Sequence, residues 1–283
     1  MLKAILVCVV VTVAASVASG GDDVLKQAVM FYASFDTDLM PDVGVGPINT
    51  RYGDPKDPKT FIFEDGFSKK VYKIAKSGVV GGCLDAKGVL KDRGRFFYPV
   101  KGNLAFKKGG WGGACSMWIN MDPQALKLPF CDPVQITQKG ANNGGIWFDF
   151  NDSKPRDLRM GVFPAVPEGK TGAKESDINA PMVWVRRVAF RSGEWRHVVL
   201  SWDNFDTGKP NAIATLYIDG RKIGDVKDRA IAMDWDVDQA GIYTAVGYTG
   251  LLDEMACFRR ALTADEVTML YRTPGLLQSL KRK

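Results

Sequence analysis

The chain has 283 residues, 46% of them hydrophobic and 11% aromatic, with a formal net charge of +6. That apolar content supports a sizeable core and excludes wholesale disorder. The positive charge is modest and interspersed with acids, only Lys281-Arg282-Lys283 forming a basic run, so a nucleic-acid-binding stripe is excluded as well.

At the N-terminus Lys3 precedes an uncharged apolar run from Ala4 to Val17, followed by the small residues Ala18, Ser19 and Gly20. This is the pattern of a signal peptide over residues 1–20, and Gly21-Asp22-Asp23 ends it with acid. The run is short for a bilayer span, and no later segment is apolar enough to cross one. The expected location is secreted, periplasmic or in the cell envelope, with residues 21–283 as one domain.

After that point almost every periodic segment reads as a strand. Val29 to Phe35, Cys115 to Ile119, Gly145 to Phe150, Leu158 to Phe163, Val183 to Phe190 and His197 to Trp202 are short and rich in β-branched or aromatic residues. Ala214 to Ile218 and Arg221 to Val226 flank Asp219-Gly220, a two-residue hairpin signal. Residues 41–59, 122–143 and 165–181 carry Pro, Gly, Asn and charges and read as long loops. Near the end, Thr263-Ala-Asp-Glu266 has the form of a capping box, and Val267, Leu270 and Tyr271 give a helical apolar face. The expected fold is all-β: a two-sheet antiparallel jelly-roll sandwich with one short C-terminal helix.

Several stretches carry a family resemblance. Gly193-Glu-Trp195-Arg-His197-Val-Val-Leu-Ser-Trp202 and Ala214-Thr-Leu-Tyr217-Ile-Asp219-Gly220 resemble the central strand and hairpin of laminin-G-like, concanavalin A-like jelly rolls. Leu252-Asp253-Glu254, then Phe258-Arg-Arg-Ala-Leu262-Thr-Ala-Asp-Glu266-Val, is similar to their closing strand and helix, and Phe31-Tyr-Ala-Ser-Phe35-Asp36 and Ser116-Met-Trp118-Ile to their opening and third strands. His197-x-x-x-Ser201-Trp202 also resembles the pentraxin signature, but Val199 replaces its cysteine, so the pentraxin disulfide and pentamer do not carry over. Trp118, Trp195, Trp202 and Tyr217 have the spacing of core aromatics.

Beyond Cys8 in the apolar run, the cysteines are Cys83, Cys115, Cys131 and Cys257. They permit two disulfides in any of three pairings, and buried free thiols fit equally well. A single histidine, His197, and the absence of G-x-S-x-G, P-loop and H-E-x-x-H motifs leave little for catalysis. A sandwich glycoside hydrolase or polysaccharide lyase is the enzymatic alternative. It needs two carboxylates on one face, whereas Asp253-Glu254 are adjacent and no E-x-D-x-x-E pattern exists. The expectation is a non-catalytic module for a glycan or a cell-surface protein, with a structural envelope component as another alternative.

Candidate ligand-binding residues are Trp111 within its glycine run, Trp235, Tyr243 and Tyr248, with Asn142 and Asn143 adding polar contacts. Calcium is the expected cofactor, if there is one. Asp234-x-Asp236-x-Asp238 begins like a calcium loop, although Gln239 and Ala245 stand where an EF-hand takes Gly and Glu. The laminin-G-like resemblance implies a second candidate set at Asp36, Asp38 and Asp253 near the sandwich edge.

Overall fold

The computed structural model describes residues 13–46, 48–54, 57–64, 72–87 and 95–282. After helix α1 (Val13–Gln27), sixteen strands follow. They are β1 (Val29–Ala33), β2 (Ile48–Asp54), β3 (Asp57–Glu64), β4 (Tyr72–Ala75), β5 (Cys83–Lys87), β6 (Arg95–Pro99), β7 (Trp111–Asn120) and β8 (Cys131–Thr137). Then come β9 (Gly145–Phe150), β10 (Leu158–Phe163), β11 (Met182–Val185), β12 (Arg196–Phe205), β13 (Ala212–Ile218), β14 (Arg221–Arg229), β15 (Gly241–Val246) and β16 (Thr249–Phe258). Helix α2 (Ala264–Arg272) and a 3₁₀ segment at Pro274–Leu280 close the described chain.

Two eight-stranded antiparallel sheets result. The first runs β14-β13-β12-β7-β16-β5-β4, with β1 on the second half of β16, and the second runs β11-β10-β9-β8-β15-β6-β2-β3. The expected jelly-roll sandwich is therefore the observed architecture. Alternation along the strands fills the space between the sheets: Ile146, Phe148 and Phe150 of β9 and Cys115, Met117 and Ile119 of β7 belong to one continuous core. Each such side chain contributes about 1.5–3 kcal/mol when fully buried.

A second apolar layer lies on the outward face of the first sheet. Ala114, Val199, Tyr217, Ala256 and Phe258 meet Leu25 of α1, Val267 and Leu270 of α2, and Leu276 and Leu277 of the 3₁₀ segment. The expected signal peptide overlaps the start of this layer: residues 1–12 lie outside the described residues, and α1 runs through residue 20 to bury Leu25 completely. Among the described residues no helix is long and apolar enough to cross a membrane.

Local chemistry explains most element ends. Asp219 and Gly220 both take positive φ (50° and 76°), as a tight two-residue hairpin between twisted strands requires. At α2 the Thr263 side chain accepts from the Glu266 N–H while Glu266 accepts from the Thr263 N–H, completing the capping box. Two expected loops are corrected. The stretch 41–59 holds β2 (Ile48–Asp54) and the start of β3 (Asp57–Glu64), made strands by their pairing with each other and of β2 with β6. Residues 131–137, placed in the loop 122–143, form β8, whose pairing with β9 shifts register between Cys131 and Val134 around Pro133, which has no N–H to give.

Buried ionisable groups sit on this frame. Asp253 and Glu254 lie where the pairing of β16 with β7 shifts register, and Glu254 has φ 50°. Burial pushes the Asp253 carboxyl up to about 8 and the Glu254 carboxyl up to about 7. Val80 N–H donates to Asp253 at 3.2 Å, and Tyr32 O–H donates to Glu254 at 2.8 Å. His197 is pushed the other way, to about 3, by burial beneath Tyr271 and Trp118.

Two outcomes follow from this packing. Gly161 of β10 faces Trp147, and a Cβ there would lie 2.2 Å from the indole, so Gly161→Ala is expected to cost about 1–3 kcal/mol in chemical denaturation. For pH, the folded chain binds more protons than the unfolded one wherever a raised carboxyl is still protonated, so that contribution is full below about pH 4 and is lost as pH rises through 7 to 8. His197 acts oppositely, its contribution fading as pH falls from 6.5 toward 3. Above pH 6.5 the two acids dominate this set, so the melting temperature should fall from pH 6.5 to 8.5, and Asp253→Asn should remove more than half of that fall.

Candidate functional site

The register of the first sheet lines up a row of side chains near one end. Leu251 of β16 sits opposite Asp85 of β5 on one side and Asn120 of β7 on the other. Arg196 pairs with Ile119, which brings Trp195, one residue earlier, level with Asn120. Because Leu84, Ile119 and Leu252 point into the core, Asp85, Asn120 and Leu251 face outward. The neighbouring row is covered by α2, whose Tyr271 stacks on Trp118 at 5.8 Å.

Beyond that cover an open cleft of about 720 Å³ remains, with Trp195, Asn120, Asp122, Ser192 and Thr249 among its walls. Its shape is held by side chains bonded to backbone. Asn120 Oδ1 accepts from Gly193 N–H at 2.7 Å, which fixes the loop carrying Trp195. Asp122 Oδ1 accepts from Gln124 N–H at 2.8 Å and caps the short turn Pro123–Ala125 on the other wall. Trp195 is half-buried. A partly exposed indole beside hydroxyls, an amide and a carboxylate can stack on a sugar ring and bond its hydroxyls.

The ligand-binding aromatics expected from sequence lie elsewhere, and that expectation is corrected. Trp111, Trp235, Tyr243 and Tyr248 are all buried. Trp111 donates its indole N–H to Asp206 at 2.7 Å and packs edge-on against Trp202, and Trp235 donates to the Gly144 carbonyl at 2.7 Å. Tyr243 leans on Phe97, and the Tyr248 hydroxyl donates to the Leu251 carbonyl. Gly113 beside Trp111 serves packing: a Cβ there would lie 2.6 Å from the Trp202 ring. Asn142 donates to Glu175 at 2.9 Å and Asn143 accepts from Val166 N–H at 2.8 Å, so both tie loop 165–181 down. Trp195 was expected in the core with Trp118, Trp202 and Tyr217; those three are buried, and only Trp195 opens to the cleft. Its flank of Ser192, Gly193 and Glu194 is the one sequence signal that separates it from them.

The candidate calcium ligands do not converge. Asp234 pairs with Lys108 at 3.1 Å and Asp238 with Lys101 at 2.6 Å, while Asp236 accepts from Asp238 N–H and from Gln239. Asp36 accepts from Gly82 N–H and pairs with Lys281, and Asp38 pairs with Arg282 at 3.0 Å. Asp253 is fully buried against backbone N–H groups. Among the described residues no three acidic, histidine or cysteine side chains form a metal-ligating group, and each of these acids bonds within the chain.

The second sheet carries a separate polar cluster on its outward face. Arg159 donates to Asp149 at 2.5 and 2.8 Å and to Glu175 at 2.6 Å, between the rings of Trp147, Trp184 and Phe130. Its donors are spent within the protein, and it fastens loop 165–181 to β9 and β10.

Comparison with known proteins agrees with this architecture. Domain 4 of AbnA, an extracellular arabinanase of Geobacillus stearothermophilus determined with arabinotriose, superposes with a TM-score of 0.52 at 17% identity, covering 86% of this chain and 98% of that one. The binding domain of botulinum neurotoxin DC, in complex with SialylT, gives 0.53 at 12% identity over 88% of this chain and 52% of that one. The same domain in complex with rat synaptotagmin II gives 0.51 at 9% identity, with 88% and 52% coverage. This chain thus spans about half of the botulinum binding domains, and these likenesses concern the fold. No curated protein matches it in sequence. The family model for concanavalin A-like lectins and glucanases matches residues 112–268, more than half of the chain and the whole stretch from β7 into α2, and the chain therefore belongs to the concanavalin A-like lectin/glucanases superfamily.

Proposed function

We propose that this chain is a non-catalytic carbohydrate-recognition module of an exported or surface-held protein, and that it grips a glycan in the Trp195 cleft. The observation that carries the reading is the single half-exposed indole in a cleft whose polar walls are already rigid. A sugar ring would stack on Trp195, and its hydroxyls would bond to Ser192, Thr249 and the carboxylate of Asp122. Because Asn120 and Asp122 are held by backbone N–H groups before any ligand arrives, little ordering is left to oppose binding. The family and the arabinotriose found with a protein of like fold are in keeping with this role. The exported location rests on the N-terminal sequence alone. Calcium has no part in this reading, since each candidate acid already has a partner within the chain.

The test is a titration of tryptophan fluorescence with neutral oligosaccharides, arabinotriose first and then gluco- and manno-oligosaccharides. Trp195→Ala should weaken binding roughly 10- to 100-fold while leaving the melting temperature within a few degrees of the parent's. Undiminished binding in that variant would move the site away from the cleft. Reducing-end release from a polysaccharide that disappears in Asp122→Asn would replace the binding reading by a hydrolytic one.

A further inference from the structure

Among the buried nucleophilic groups, two cysteines meet in one place. Cys115 of β7 and Cys257 of β16 are direct cross-strand partners. Both are completely buried, and both point into the same core between the sheets. Side chains directly opposite each other on one face of an antiparallel pair have Cβ atoms about 4.5–5.5 Å apart, and the short end of that range meets the long end of the spacing a disulfide takes, about 3.5–4.5 Å. The neighbouring Cys115 thiol, together with burial, holds the Cys257 thiol well above its ordinary range. The remaining pair is arranged differently: Cys83 on β5 of the first sheet contacts Ser77 Oγ at 3.7 Å, while Cys131 on β8 of the second sheet donates to the Leu128 carbonyl at 3.4 Å. Of the single bonds open to these four residues, register places one pair, Cys115 and Cys257, directly opposite.

We propose that Cys115 and Cys257 are a disulfide-forming pair, closed by exchange with a small-molecule or protein disulfide while the chain folds. Each thiol gives up a proton, one S–S bond forms, and the two electrons reduce the incoming disulfide to two thiols. Timing matters. In the finished fold neither side chain reaches solvent, and the Cys115 thiol together with burial holds the Cys257 thiol well above its ordinary range, so the native pair is inert. Exchange therefore happens before β16 docks on β7, or on a chain opened far enough to separate them. The bond would clamp the strand that ends in Asn120 to the strand that begins beside Leu251, the two strands that shape the Trp195 cleft.

The experiment uses the full chain, unfolded with reductant and refolded either in mixed glutathione and glutathione disulfide or in reductant alone. Free thiols are then blocked with iodoacetamide under denaturing conditions and the peptides are mapped without reduction. The expected product is the Cys115 peptide joined to the Cys257 peptide, lighter by two hydrogens, with Cys8, Cys83 and Cys131 blocked. The oxidised protein should melt roughly 5–15 °C above the reduced protein, given the long loop that the bond closes. The double variant Cys115→Ala/Cys257→Ala should lose that difference between the two buffers. Five blocked cysteines after oxidative refolding, a different pairing, or an oxidised chain no more stable than the reduced one would each overturn the proposal.

Discussion

The placement of β16 is the constraint on which the rest of this molecule depends. Its first half pairs with β5, its second half with β1, and its other edge runs along β7. One register thus decides three things. It sets Asp85, Leu251 and Asn120 in a row at the mouth of the cleft, puts Cys257 opposite Cys115 in the core, and locates Asp253 and Glu254 at the shift between those two regular stretches. A slip of one residue would turn Leu252 and Cys257 outward and carry the charged positions into the core. The shift is thus more than an irregularity, because it lets one strand serve a polar rim at its start and an apolar seam at its end.

The outward face of the first sheet is divided accordingly. Over its middle, α1, α2 and the 3₁₀ segment supply Leu25, Val267, Leu270, Leu276 and Leu277, and the sheet answers with Ala114, Val199, Tyr217, Ala256 and Phe258. Trp118 and His197 lie at the border of this layer, under Tyr271. His197 can be buried there because Ser116 bonds its Nε2 at 2.8 Å and because it stays neutral. Past that border no helix residue is available, so the next row opens as a cleft. Helix coverage and open cleft divide one sheet face between them, and the length of α2 sets the line.

This division explains what the sequence disclosed and what it withheld. Period-two patterns, the Asp219-Gly220 turn and the Thr263 capping box are local signals, and the strands, hairpin and helix they announce are present, except that the strand expected over Val183 to Phe190 stops at Val185. β8 was hidden because Pro133 and its polar neighbours look like loop, and only pairing with β9 and β15 makes a strand of them. The site was less legible still. Trp111 amid glycines has the composition of a binding loop, yet Gly113 is a gap into which the Trp202 ring packs. Trp195 has the spacing of a core residue, yet it stands one position before β12 begins, where alternation no longer guarantees burial. Exposure of an aromatic depends on what lies across from it, and that is a property of the assembled sheets.

Charge follows the same logic. Read along the sequence, Asp234, Asp236 and Asp238, or Asp36 and Asp38, invite a divalent cation. In the fold their countercharges come from the chain: Lys101 and Lys108 reach the first group, Lys281 and Arg282 the second. The C-terminal basic residues are therefore part of the structure near the opening strand, with Arg282 also lying beside Asp42. Exposed pairs of this kind are individually weak, but they satisfy the acids without drawing them together. A site that had to gather three carboxylates around a metal would first have to break these pairs. The Trp195 cleft needs no such rearrangement: its acceptors are already oriented by backbone N–H groups, and its indole offers a π-face whatever the ionic conditions. In the proposed reading the grip comes from shape, an indole face and acceptors already oriented, Asp122 among them, while the ion pairs hold the loops.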